Sequence, residues 1–169
     1  MKNLIIIPSR LESSRLPNKP LADINGTSMI VHVFKRAKEV GIADVLVAAG
    51  NREIKNAIES IGGNVILTNP DHLSGSDRIY EALCKYDKNM IFDNVINLQG
   101  DLPNIKKEAL MKTISLLDDS NADISTIGVK ISSSKELLNP NVVKAYVKNI
   151  KDNNYVEDFD RIFDDDKEE

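Results

Sequence analysis

A chain of 169 residues with 41% hydrophobic and 28% charged residues is long enough for one well-buried domain and too short for two full ones. Its composition is neither that of a disordered chain nor that of one with membrane-inserting runs. The net charge of −4 hides an asymmetry, because Glu157 to Glu169 holds eight acidic and two basic residues; the rest is mildly basic, which suits a phosphate-bearing small ligand but lacks the basic stripe of a nucleic-acid binder.

The first apolar run, Leu4 to Ile7, stops at Pro8. It predicts a strand and is too short for the core of a secretory signal, so a cytoplasmic location is expected. A helix is predicted from about Ser28 to Val40, capped by Thr27 or Ser28 and apolar along Met29, Ile30, Val33, Phe34 and Ala37. A strand follows at Val45 to Ala48, and Asn51 then caps a helix carrying Ile54, Ile58 and Ile61 that Gly62 and Gly63 stop. Val65 to Leu67 and a helix from about Ser76 to Tyr86 repeat the unit. Val95 to Leu98 is expected as a strand buried on both faces, followed by a helix from about Ile105 to Leu117. Ile124 to Val129 and Val142 to Val147 complete the expected strands.

Repeated βα units predict an α/β fold with a doubly wound, mostly parallel sheet and helices on both faces, since each parallel crossover travels over a face of the sheet. Residues 1–156 are expected to form this single nucleotide-binding domain, with 157–169 as a flexible acidic tail whose Asp164, Asp165 and Asp166 lack the fixed geometry of a metal site. Cys84, the single cysteine, excludes an intrachain disulfide and is expected to be buried; Met29, Met90 and Met111 are expected as core fillers. His32 reads as a packed or surface histidine. In such sheets ligands bind beyond the carboxyl ends of the strands, which directs attention to the loops after Ile7, Ala48, Leu67 and Leu98.

The loop after the first strand, Pro8-Ser9-Arg10-Leu11-Glu12-Ser13-Ser14-Arg15-Leu16-Pro17-Asn18-Lys19-Pro20-Leu21, carries three cations. Arg10, Arg15 and Lys19 would repel one another in a common cleft unless a polyphosphate neutralised them. Neither the P-loop nor the dinucleotide-binding glycine pattern is present. Asp101, just beyond the strand ending at Leu98, is a candidate metal carboxylate, with Gly100 allowing a close backbone approach. Mg²⁺ is the expected ion, since it takes a few carboxylates together with phosphate oxygens.

Arg10-x-x-Ser13-x-Arg15-Leu16-Pro17-x-Lys19-Pro20-Leu21 resembles the opening motif of the sugar-acid cytidylyltransferases, and especially of the 3-deoxy-manno-octulosonate (Kdo) cytidylyltransferase family. His72-Leu73-Ser74-Gly75-Ser76-Asp77-Arg78, Asn97-Leu98-Gln99-Gly100-Asp101-x-Pro103 and Asn139-Pro140-Asn141-x-Val143-Lys144 extend the resemblance. Asn18 stands where that family has glycine. The resemblance implies transfer of CMP from CTP to an acidic sugar such as Kdo, with release of pyrophosphate, for lipopolysaccharide precursors. It implies Arg10, Arg15 and Lys19 on the phosphates, an Asp101-bound Mg²⁺, and Pro8, Ser9, Ser13, Ser74, Arg78 and Gln99 around the nucleotide. Ser74 or Ser76 can alternatively serve as a helix cap, and His72 is a further candidate for ligand contact. Members of the family are longer, and the part absent here is expected to bring a second metal aspartate, most sugar-acid contacts and much of a homodimer interface. Transfer to another sugar acid, and CTP binding without turnover, are the alternatives.

Overall fold

The computed structural model describes residues 1–12, 16–118, 122–150 and 153–163. Ser13 and Arg15 of the cationic loop, and Asp164 to Asp166 of the tail, lie outside the described residues.

All seven residues of β1 (Asn3–Ser9) are buried, because β1 is an inner strand covered on both faces. After a short 3₁₀ turn at Lys19–Leu21, two-residue strands β2 (Asp23–Ile24) and β3 (Thr27–Ser28) form a hairpin. Its turn residues, Asn25 and Gly26, have φ of 52° and 80°, the left-handed pair that tight hairpins favour. Then come α1 (Met29–Glu39), β4 (Asp44–Ala49), α2 (Arg52–Glu59), β5 (Asn64–Leu67), α3 (Gly75–Tyr86), β6 (Asn94–Asn97) and α4 (Lys107–Asp118). The main sheet is parallel throughout, in the order β5-β4-β1-β6.

Side chains alternate across this sheet into two cores. Ile5, Ile7, Val45, Val47, Ile96 and Leu98 meet α1, α2 and α4 through Ile30, Val33, Phe34, Ile54, Ile58, Leu110 and Ile114. On the other face Leu4, Ile6, Leu46 and Ala48 meet Ile79 and Ala82 of α3. The doubly wound layer expected from the βα repeats is therefore the fold. The chain grows outward from β1 through β4 to β5, then returns to place β6 on β1's other side. Strand order reverses between β1 and β6, so a crevice opens where their carboxyl ends diverge.

Several expectations need correction. Val95 of β6 is 38% exposed: β6 is an edge strand among the described residues, so only the face carrying Ile96 and Leu98 is covered. Ile124 to Val129 forms no strand; without a neighbour to complete a ladder, Ile124 and Val129 remain exposed. Cys84, Met90 and Met111 are exposed rather than buried, since they occupy the outward positions of α3, a turn and α4.

The chain divides into two compact units, Met1–Ser125 and Thr126–Glu169. The second unit holds α5 (Ser134–Leu137) and an antiparallel hairpin of β7 (Lys144–Ile150) and β8 (Asn153–Asp160). Val142 and Val143 fall before β7, and Glu157 to Asp160, expected as tail, belong to β8. Lys144 is buried, with its ammonium donating to the carbonyls of Asn139 and Arg161 at 2.7 and 2.6 Å.

Candidate active site

A cleft of about 250 Å³ opens at the switch point. The end of β1 contributes Pro8, Ser9 and Arg10, and the 3₁₀ turn contributes Lys19 and Pro20. The β5–α3 loop and the start of α3 bring His72, Ser74, Gly75 and Arg78, while the segment after β6 brings Gln99, Gly100 and Asp101. Met29 completes the lining. The nucleotide-site residues expected from the sequence that lie within the described residues, Pro8, Ser9, Arg10, Lys19, Ser74, Arg78 and Gln99, all line this cleft, as does the candidate metal carboxylate Asp101.

One wall is built from loops and charge. Lys19 Nζ lies 2.7 Å from Asp101 Oδ2, and both side chains are partly exposed, at 38% and 49%. Residues 82 positions apart in sequence thus meet on one wall of the cleft. The turn carrying Lys19 starts at Asn18, whose φ of 56° and ψ of 22° are left-handed; asparagine is among the few side chains other than glycine that tolerate this geometry. The backbone preceding the turn is tied down by Asn51, which accepts from the Leu11 amide at 2.9 Å and donates to Glu12 at 2.9 Å. Asn51 is the N-cap residue of α2 by position, but its side chain makes no cap bond, having been taken for this loop. Its hydrogen bond, with Glu12's own backbone amide and Arg10 nearby, holds the Glu12 carboxyl below its ordinary range.

The other wall is rigid. Arg78 is 2% exposed, and its guanidinium donates to Thr68 Oγ1 at 2.6 Å, Asn69 O at 3.0 Å and Pro70 O at 3.1 Å. Burial, and then the like charge of Arg10, lower its pKa from the ordinary value. Arg78 therefore organises the 68–70 loop with the donors that would otherwise reach a ligand. Room for it comes from Gly50, where a Cβ would lie 2.7 Å from Arg78 Nη1. Ser74 caps α3 in a reciprocal box with Asp77: its hydroxyl accepts from the Asp77 amide and donates to the Asp77 carboxylate. The cap role and the place in the cleft coexist, leaving the first-turn amides of Gly75 and Ser76 without intrahelical partners.

His72 is held by Glu81 Oε2 at 2.5 Å, an oxygen that also accepts from the Asn69 amide. Glu81 Oε1 takes Lys85 at 2.5 Å. The Lys85 hydrogen bond first, then the Asn69 amide and His72, outweigh burial and hold Glu81 down to about 2. Gly100 permits close contact between β6's extension and β1, since a Cβ there would stand 3.0 Å from Pro8 O. The expected loop after β4 does not line the cleft; Gly50 and Asn51 act behind it. His32, with Nε2 2.9 Å from Ile24 O, also lies away from it. Sequence reasoning missed the supporting roles of Gly50, Asn51, Thr68 and Glu81. Of these, only Glu81 had a local signal, its i,i+4 spacing to Lys85.

Among the described residues no cluster of three or more metal-ligating side chains exists, so Asp101 offers one hard oxygen donor group. That fits Mg²⁺ only as an ion shared with phosphate oxygens. No helix among the described residues is long and apolar enough to cross a membrane.

A parallel sheet with a cationic loop, a carboxylate and a helix N-terminus gathered at its switch point defines an α/β protein of the nucleotidyltransferase kind. The chain belongs to the cytidylyltransferase family, whose profile matches residues 4–168. It is 51% identical over 144 residues to a 3-deoxy-manno-octulosonate cytidylyltransferase of Bradyrhizobium sp. (strain ORS 278), covering 85% of this chain and 58% of that protein. A protein of the same name from Paramagnetospirillum magneticum is 42% identical over the same shares. The chain thus spans a little over half the length of these curated relatives. Among solved structures, CMP:2-keto-3-deoxy-manno-octonic acid synthetase complexed with CTP superposes with a TM-score of 0.81 at 35% identity, covering 96% of this chain and 65% of that one. A cytidylyltransferase from Leptospira borgpetersenii shares the fold, with a TM-score of 0.58.

Proposed function

We propose that this chain binds CTP in the switch-point cleft and transfers CMP to an acidic sugar, Kdo being the favoured acceptor, with release of pyrophosphate. The observation that carries the proposal is the meeting of Lys19 and Asp101 in the cleft that Arg10 also lines, in a member of this family. An oxygen of the sugar acid bonds to the α-phosphorus while the bond from that phosphorus to the oxygen bridging it to the β-phosphorus breaks; pyrophosphate leaves with that electron pair, and the proton of the attacking hydroxyl passes to water.

Little covalent chemistry is asked of the protein. Arg10 and Lys19, with Arg15 expected to join them, bind the phosphates and offset the charge that grows on the departing group. Lys19, paired to Asp101 without ligand, has an anionic exchange partner once a triphosphate enters. Asp101 is then released and would hold Mg²⁺, which would supply Lewis-acid activation of the phosphates. The rigid wall takes the nucleoside, with Gln99, the Gly75 and Ser76 amides and the Pro8 backbone supplying fixed donors and acceptors. CMP-Kdo is the activated form of this sugar for lipopolysaccharide precursors, and the cytoplasm, where nucleoside triphosphates are made, suits the reaction. The resemblance extends the proposal to a homodimer, which light scattering of the purified chain tests.

Calorimetric titration with the four nucleoside triphosphates and Mg²⁺, followed by assay of pyrophosphate release with a panel of sugar acids, tests the reading. Preferential CTP binding with Kdo-dependent release is expected. Equal affinity for all four nucleotides counts against a cytidine site, release with a different acid reassigns the acceptor, and binding without release marks a CTP-binding chain that does not turn over alone.

A further inference from the structure

We infer that Asn97 sets the pyrimidine preference of the cleft by fixing the orientation of the Gln99 side-chain amide. The inference rests on the cytidine reading above. Asn97 ends β6 in register with Ile6 of β1, and the next amide, Leu98 N, donates to Ile6 O at 3.1 Å. Ile96 and Leu98 point into the core under α1, so strand alternation turns Asn97 to the opposite face, the one occupied by α3 and Pro8. There Asn97 Oδ1 accepts from Gln99 Nε2 at 2.8 Å, and Gln99 lines the cleft.

A primary amide that can flip presents either a donor or an acceptor at the same point in space. It therefore reads a cytosine, whose exocyclic group donates, and a uracil, whose carbonyl accepts, almost equally well. The bond to Asn97 weights that choice: with one Nε2 hydrogen engaged by Asn97 Oδ1, the orientation favoured is the one that turns Oε1 to the base. Oε1 accepts from the cytosine amine and opposes the uracil carbonyl, leaving two acceptors facing each other when UTP binds. Asn97 is exposed and is not among the residues that line the cleft, so it is a positioning residue acting through Gln99.

The test compares CTP and UTP dissociation constants, each with Mg²⁺, for the wild-type chain, Asn97→Ala, Asn97→Asp and Gln99→Glu. Wild type is expected to favour CTP by about tenfold or more, and Asn97→Ala to lose most of that ratio, because one mispaired polar contact carries about that factor. Asn97→Asp offers acceptors only and keeps the wild-type ratio, since any effect of its charge on the phosphates is common to both nucleotides. Gln99→Glu is itself acceptor-only, so Asn97→Ala introduced into that background leaves the ratio unchanged. An Asn97→Ala chain that binds CTP and retains the full wild-type ratio overturns the inference, as does an equal loss in the Gln99→Glu background. A wild-type chain with no preference for CTP overturns the cytidine reading itself, and this inference with it.

Discussion

The two walls of the cleft are stabilised by different physics. On one side Arg78 is buried, with three hydrogen bonds into the 68–70 loop, and α3 begins with a closed capping box. On the other, Lys19 and Asp101 are joined by one partly exposed ion pair, of a type that contributes no more than about 1 kcal/mol. A wall that reads a base gains from holding donors and acceptors still, whereas a wall that receives a triphosphate has to release its charges to the ligand. Rigidity and exchangeability are thus separated within about 250 Å³.

Breaking the rigid wall is expected to have the largest effect on stability. Arg78→Ala leaves the acceptors at residues 68–70 unpaired around a cavity and should cost about 3–4 kcal/mol, read by urea denaturation, together with loss of CTP binding. Gly50→Ala places a Cβ against Arg78 Nη1 and should cost about 2 kcal/mol, reporting on the same wall from behind. Ser74→Ala removes the cap of α3, for about 1 kcal/mol by the same measurement. Lys19→Ala sharpens the contrast: its effect on stability should be under about 1 kcal/mol, while turnover falls roughly a hundredfold, as for deletion of one preorganised donor. A pH titration supplies the smallest effect. Glu81's folded pKa lies below its unfolded value, so its stabilisation is complete above the ordinary carboxylate range and is lost as pH falls toward about 2. Glu81→Gln should flatten the acid limb of the stability curve over that interval.

The exchangeable wall was the more legible in sequence. Arg10, Lys19 and Asp101 announce themselves as charged residues in loops following predicted strands, and the βα repeats told where those loops converge. The rigid wall was legible only in part. Arg78 stood in a recognisable segment, but its burial depends on Gly50 lacking a side chain 28 positions earlier in the chain, a tertiary fit that no local pattern encodes. Asn51 shows the same limit: a cap by position, it is drawn off by Leu11 and Glu12. Beyond the sheet, the β-branched run at Ile124 to Val129 carried strand propensity without a neighbour to pair with, and propensity alone does not make a ladder. The hairpin of β7 and β8 was half seen because the acidic residues of β8 lie on an exposed strand, where their charge resembles that of a tail.

Backbone amide shifts of the isotope-labelled chain, recorded as Mg²⁺ and CTP are added, test the placement of the ligand between these two walls most directly. The account predicts saturable shifts at Ser9, Arg10, Lys19 and Asp101 on one side and at Gly75, Ser76 and Gln99 on the other. Shifts centred elsewhere, or confined to one wall, would contradict it.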